Sequence, residues 1–322
     1  MQASLIRKTE QFLENRRRTE RVFRLASPLT HCLCSLLLCL NDCDVDLDAL
    51  QRAKRALEKG TSPFSLFRGI GKAPIAAKLS CVPNAEEWIG HAKETLAALR
   101  KHGFAATDYL CLAALLMAKR YEEREELAAR AHACYLEMKR AHRILTAGED
   151  ACFAVLFAMY ANEGDSINSS AEAAFSLLKT QFGSTNAAQM ASHVIGLVGG
   201  DAEHLAADTA NLYLAIRENG VKNRSRTDLS VLAVLAALGK TDATTVSAIV
   251  ELDAYLKAQK GHSAIILGRD QRLTLAASLV AMDACLAAPD APKYAVLRDA
   301  LQCSMLVTIT LAVIQNMAAT SV

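Results

Sequence analysis

Six prolines in 322 residues, a single tryptophan and 5% aromatic residues are what this sequence has little of. Few prolines leave long stretches in which nothing interrupts a helix. No stretch alternates polar residues with β-branched or aromatic ones at period two, so strands find no support. An excess of charge is missing as well: 36 Lys and Arg stand against 34 Asp and Glu, a formal charge of +2. That balance excludes the strong one-signed field by which a protein holds nucleic acid or an anionic bilayer. The zinc motif HExxH, the nucleophile elbow GxSxG and the phosphate loop GxxxxGK[ST] do not occur. Residues 1–24 are charged and have no apolar core ahead of a cleavage site, so they do not read as a signal peptide.

What the sequence has is Ala and Leu in bulk, within a hydrophobic fraction of 52%. Small and straight-chain residues favour helices and close helix packing. The apolar residues recur with a weak period of about forty residues. Leu99, Met138, Leu178, Ile216 and Leu256 each close a charged amphipathic stretch, at spacings of 39, 40, 38 and 40. A break follows at Gly103, His142, Gly183, Gly220 and Gly261. Nearly uncharged stretches then carry Leu115, Leu156, Leu197, Leu235 and Leu279. A long helix, a turn and a short apolar helix make the pattern of an all-α protein built of stacked antiparallel helical hairpins. We expect an α-solenoid-like array spanning 1–322 as one domain.

The helix faces follow from the period. Trp88, Ala92, Leu96 and Leu99 mark one stripe, and Leu127, Ala131, Cys134 and Met138 the next. Ala171, Phe175, Leu178 and Phe182 form a third, and Leu205, Thr209, Leu212 and Ile216 a fourth. The apolar stretches near 106–118, 149–162, 187–198, 228–238 and 271–286 are expected as an inner layer. Residues 29–40 are apolar almost all round but too short to span a bilayer, which predicts a buried helix. Asp46 or Asp48 caps the helix that ends at Gly60.

Several groups invite a chemical reading. Cys32, Cys34, Cys39 and Cys43 lie beside His31, but on one helix the outer sulfurs stand roughly 16 Å apart. One metal cannot gather them, so they read as buried apolar cysteines, suited to a reducing cytoplasm. Asp42, Asp44, Asp46 and Asp48 alternate like the start of a calcium loop, yet Leu47 and Ala53 stand where Gly and a carboxylate are needed. The sequence at 69–72, Gly-Ile-Gly-Lys, reads as a turn between two short helical pieces. His193 falls in an apolar helix, and His132 and His142 are expected in solvent. Arg16, Arg17, Arg18, Arg21 and Arg24 spread around one helix and read as a solvated face. Residues 300–322 carry no charge, but Gln302, Gln315, Asn316 and several Thr make a heavy polar load for a membrane span. That helix is expected against the last hairpin or across a homodimer interface.

One region has a family likeness. HGFAATDYLCLAALLMA at 102–118, YLEMKRAH at 135–142 and RILTAGEDACFAVLFAM at 143–159 resemble uncharacterised bacterial proteins of about this length. These form domain-of-unknown-function family 4003. The resemblance implies a bacterial, soluble, all-helical protein and brings no activity, cofactor or functional residue with it.

Taken together, the sequence predicts a non-enzymatic scaffold of the cytoplasm whose grooves bind a protein or peptide. It names no catalytic, cofactor-binding or metal-binding residue, and neither nucleic acid nor membrane is expected as a partner. The loop cations Lys222, Arg224 and Arg226 are the candidate surface contacts. The competing expectation is an enzyme or small-ligand binder with its site in a groove near 219–227 and 259–270.

Overall fold

The computed structural model describes residues 2–43, 46–160, 167–219, 229–263 and 266–320. All regular structure among them is helical. In chain order the helices are α1 (Ala3–Val22), α2 (Pro28–Leu40), α3 (Leu47–Gly60), α4 (Lys72–Leu79) and α5 (Ala85–Lys101). Then come α6 (Asp108–Met117), α7 (Arg124–Ala141), α8 (Asp150–Tyr160), α9 (Ile167–Phe182) and α10 (Asn186–Val198). The last five are α11 (Ala202–Glu218), α12 (Leu229–Ala237), α13 (Ala243–Ala258), α14 (Arg269–Ala287) and α15 (Pro292–Thr320). Short 3-10 turns at Leu66–Arg68 and Ala118–Glu123 join α3 to α4 and α6 to α7.

Contacts gather the chain into two compact units. The N-terminal unit holds Gln11–Ala161 with Ile309–Val322, and the C-terminal unit holds Asn162–Thr308 with Met1–Glu10. In the N-terminal unit α5 packs on α3, α6 and α7, while α8 packs on α6 and α7. There α4 rests on both α2 and α3. In the C-terminal unit α9 packs on α10 and α11, and α12 packs on α10, α11 and α14. α13 lies against α11 and α14.

Residue type explains which helix goes where. α6 and α8 have almost no polar residues, and all but one residue of each is buried. α2 and α12 are in the same condition. Such helices have no face to offer water and so need neighbours on every side. The charged helices bury one stripe only. In α5 that stripe is centred on Ile89, Ala92, Thr95 and Leu99, leaving Trp88 and Leu96 half-buried at its edge. The sequence pattern places Ala92 and Leu99 correctly but takes Trp88 for Ile89 and Leu96 for Thr95, because large apolar side chains outweigh their neighbours. In α9 all four expected residues are buried. Caps fix the starts. Ser27, Asp46, Asn84, Thr107, Thr185, Asp201 and Asp242 each accept the backbone N–H three residues on, worth about 1 kcal/mol apiece.

Residues 300–320 of the uncharged segment belong to α15. By length and composition that helix could cross a membrane, but 78% of its most apolar window is buried inside the protein. Residues 315–319 are exposed. In the C-terminal unit Arg272 of α14 holds Asp253 of α13 through two parallel bonds of 2.8 and 3.0 Å. Both side chains are buried, and the fork geometry offsets the cost of taking two charges out of water.

A different buried charge sits at the start of α8. Asp150 is 2% exposed, and its Oδ2 accepts the Ala147 N–H at 2.9 Å. Burial pushes its carboxyl up to about 7, against the pull of that N–H, and neighbouring Glu149 adds to the rise. The same burial, with Glu149 nearby, raises the phenols of Tyr109 and Tyr135.

Two outcomes are expected. Leu156 in α8 is fully buried, so Leu156→Ala lowers the urea-unfolding free energy by about 2–5 kcal/mol. Leu136→Ala on the exposed side of α7 changes it by less than about 0.5 kcal/mol. The Asp150 contribution is present below its unfolded pKa of about 4 and is lost as pH rises through about 7. Asp150→Asn keeps an acceptor for Ala147, so its urea midpoint gains on wild type between about pH 5 and pH 8. A gap that does not change with pH contradicts the assignment.

Candidate functional site

Of three clefts among the described residues, the one with the greatest volume, about 1050 Å³, belongs to the N-terminal unit. Its wall runs from the last turn of α1 through the connection to α2, across one face of α3, to the start of α4 and the end of α15. On α3 the lining residues Gln51, Lys54, Arg55 and Glu58 fall at helical spacing. Val22, Phe23, Leu25, Ile70, Val313 and Met317 supply apolar surface. Leu25 is fully exposed and Met317 half-exposed.

The charges are lopsided. Arg21, Arg24, Lys54, Arg55 and Lys72 face one carboxylate, Glu58. Glu58 is already matched: the Lys72 ammonium lies 2.7 Å away and holds its carboxyl below the usual range. Lys54 donates to the Val22 carbonyl at 3.2 Å, closing the C-terminal end of α1, and lies 5.6 Å over the Phe23 ring. Arg55 hydrogen-bonds the neutral Gln51 amide at 3.2 Å. Arg21 and Arg24 form no ion pair among the described residues. The basic run on α1 therefore divides. Arg16 is buried and bonds Glu20 at 2.9 Å, and Arg17 and Arg18 pair with Glu14. Only its last members are left for the cleft, which corrects the reading of a uniformly solvated face.

The cleft floor is positioned by hydrogen bonds that carry no ligand chemistry. Arg68 donates to Thr61 Oγ1 at 3.0 Å and to the Thr61 and Glu58 carbonyls, tying down the end of α3. Asp108 at the start of α6 accepts the Ile70 N–H at 3.2 Å. A Cβ on Gly69 would come within 2.3 Å of the same carboxylate, so a larger residue here would have to push Asp108 away from the Ile70 N–H. The Gly-Ile-Gly-Lys turn thus joins two short helical pieces as expected, but it also lines the cleft.

The other candidates fall elsewhere. Lys222, Arg224 and Arg226 lie outside the described residues, as does all of loop 219–227 except Asn219. In loop 259–270, His262 and Leu267 are buried and Ile266 is half-exposed. Cys32, Cys34 and Cys39 are buried in α2, where burial pushes the Cys32 thiol up to about 12. Among the described residues no three His, Cys, Asp or Glu converge as metal ligands. Asp46 caps α3 and Asp48 sits in its first turn, while Asp44 lies outside the described residues. His193 is buried in α10. His132 is half-buried and packs edge-on against Phe104 at 5.4 Å.

Two smaller clefts differ in character. One of about 480 Å³ uses the opposite side of α3, where Lys59 pairs with Glu86. The other, about 570 Å³ in the C-terminal unit, sets Lys240 against Asp242, Glu251 and Asp283. There Ser4 donates to Asp283 at 3.0 Å, Thr245 to Asp242 and Ser247 to Glu251. Neither Asp150 nor any described residue of loop 259–270 lines one of the three clefts.

Comparison with curated proteins and with solved structures returned no match. The family described as "Protein of unknown function (DUF4003)" matches residues 18–318, from within α1 to the last turns of α15. The chain belongs to that family.

Proposed function

We propose that this protein is a non-enzymatic scaffold of helical-repeat type, and that the basic cleft of its N-terminal unit receives an acidic, leucine-rich segment of a partner protein. One observation carries the reading. Arg21 and Arg24 stand without carboxylate partners beside exposed Leu25 and half-exposed Met317. Cations without counter-charges next to apolar surface suit a segment that alternates carboxylates with apolar side chains. The alternation of charged with apolar helices from α5 to α12 supports the scaffold part. Ten free cysteines suit a reducing cytoplasm. A contact through α15, with a second copy or a membrane, has less to use, because most of its apolar surface already faces inward. Nucleic acid is not proposed, as the overall charge is only +2.

Fluorescence anisotropy with two labelled helical peptides tests this. One carries Leu at every third or fourth position with Glu between, and the other has Lys in place of each Glu. The acidic peptide is expected to bind with a salt-sensitive affinity, and the basic one to bind far more weakly. The double variant Arg21→Glu/Arg24→Glu alters exposed residues only and should weaken the acidic peptide at least about tenfold. Equal binding of the two peptides, an unaffected double variant, or preferential sedimentation with anionic vesicles overturns the proposal.

A further inference from the structure

Seven of the ten cysteines are buried, and Cys43, Cys81 and Cys134 keep partial exposure. Two of those three meet. Cys43 follows α2 and Cys81 follows α4, helices that pack on each other. The Cys43 thiol reaches the Cys81 carbonyl at 4.0 Å and the Asn41 carbonyl at 3.3 Å. The Cys81 thiol donates to the Ala77 carbonyl at 3.5 Å. A bond of 2.6 Å from Lys78 Nζ to Asn41 Oδ1 braces the same two helix ends. Burial raises the Cys81 thiol pKa, and a hydrogen bond from Cys43 raises it further, which makes Cys81 the poorer initial nucleophile. Ser27 and Thr30 of α2, and Lys72 and Ala73 of α4, line the basic cleft from the opposite ends of these helices.

We propose that Cys43 and Cys81 are a redox pair that closes to a disulfide in the presence of a peroxide and fixes the C-terminal ends of α2 and α4 together. The Cys43 thiolate attacks one peroxide oxygen. The O–O bond breaks, and the leaving hydroxide takes up the thiol proton as water, leaving a sulfenic acid. The Cys81 sulfur then attacks the Cys43 sulfur. The S–S bond forms as the S–O bond breaks, and the hydroxyl leaves with the Cys81 proton as a second water. The two sulfurs give up the two electrons that the peroxide gains. A cellular dithiol or glutathione reverses the step by thiol exchange. The pairing suits an otherwise reducing compartment, where disulfides are transient and redox-sensing.

The test treats the full-length native protein with hydrogen peroxide, then unfolds and alkylates it for intact-mass and peptide analysis. The expected result is two alkylation sites fewer than the ten of the reduced chain, a Cys43–Cys81 crosslinked peptide, and full reversal by dithiothreitol. The oxidised protein should melt several degrees higher, since the closed loop restricts the unfolded chain. In Cys43→Ser and in Cys81→Ser, with folding checked by circular dichroism, no internal crosslink forms. Retention of all ten alkylation sites overturns the proposal. So does loss of thiols to sulfinic acid or to dimers linked through Cys134.

Discussion

A helix without a polar face must be enclosed, and α2, α6, α8 and α12 are all in that position. Each fully buried Leu or Phe contributes about 1.5–3 kcal/mol by leaving water. That gain is lost if a neighbouring helix is removed. The charged helices α5, α7, α11 and α13 satisfy the requirement by giving one apolar stripe to the interior and the rest of their surface to solvent. Connections then have to lie at the edges, and the basic cleft is formed by such connections, between α1 and α2 and between α3 and α4.

Much of this was legible because it is local. The mostly apolar run 29–40, a cap at Asp46 or Asp48, and the breaks after Leu99 and Met138 mark their helices without tertiary knowledge. Small errors have a physical source. Thr95 is as buried as Leu99 although its hydroxyl finds no hydrogen-bond partner there, and a hydropathy pattern ranks it too low.

The cleft was not legible, and the reason is geometric. Arg21 and Arg24 are indistinguishable in sequence from Arg17, which stands in solvent beside Glu14. What sets them apart is α3 and the end of α15, brought to the same place by segments far apart in the chain. The one sequence signal was Leu25 next to Arg24, an apolar residue at a helix end just before Pro28. Loop length alone points to Lys222, Arg224 and Arg226, which lie outside the described residues.

The cations of the cleft divide their labour. Lys54 is committed to the last carbonyl of α1, Lys72 to Glu58, and Arg68 beneath them to the end of α3. Arg21 and Arg24 hold nothing in place. Those two side chains can therefore change without disturbing the fold. On the proposed reading, relatives that take a different partner diverge first at the two arginines of α1, while Lys54 and Arg68 are held by the helix ends they support.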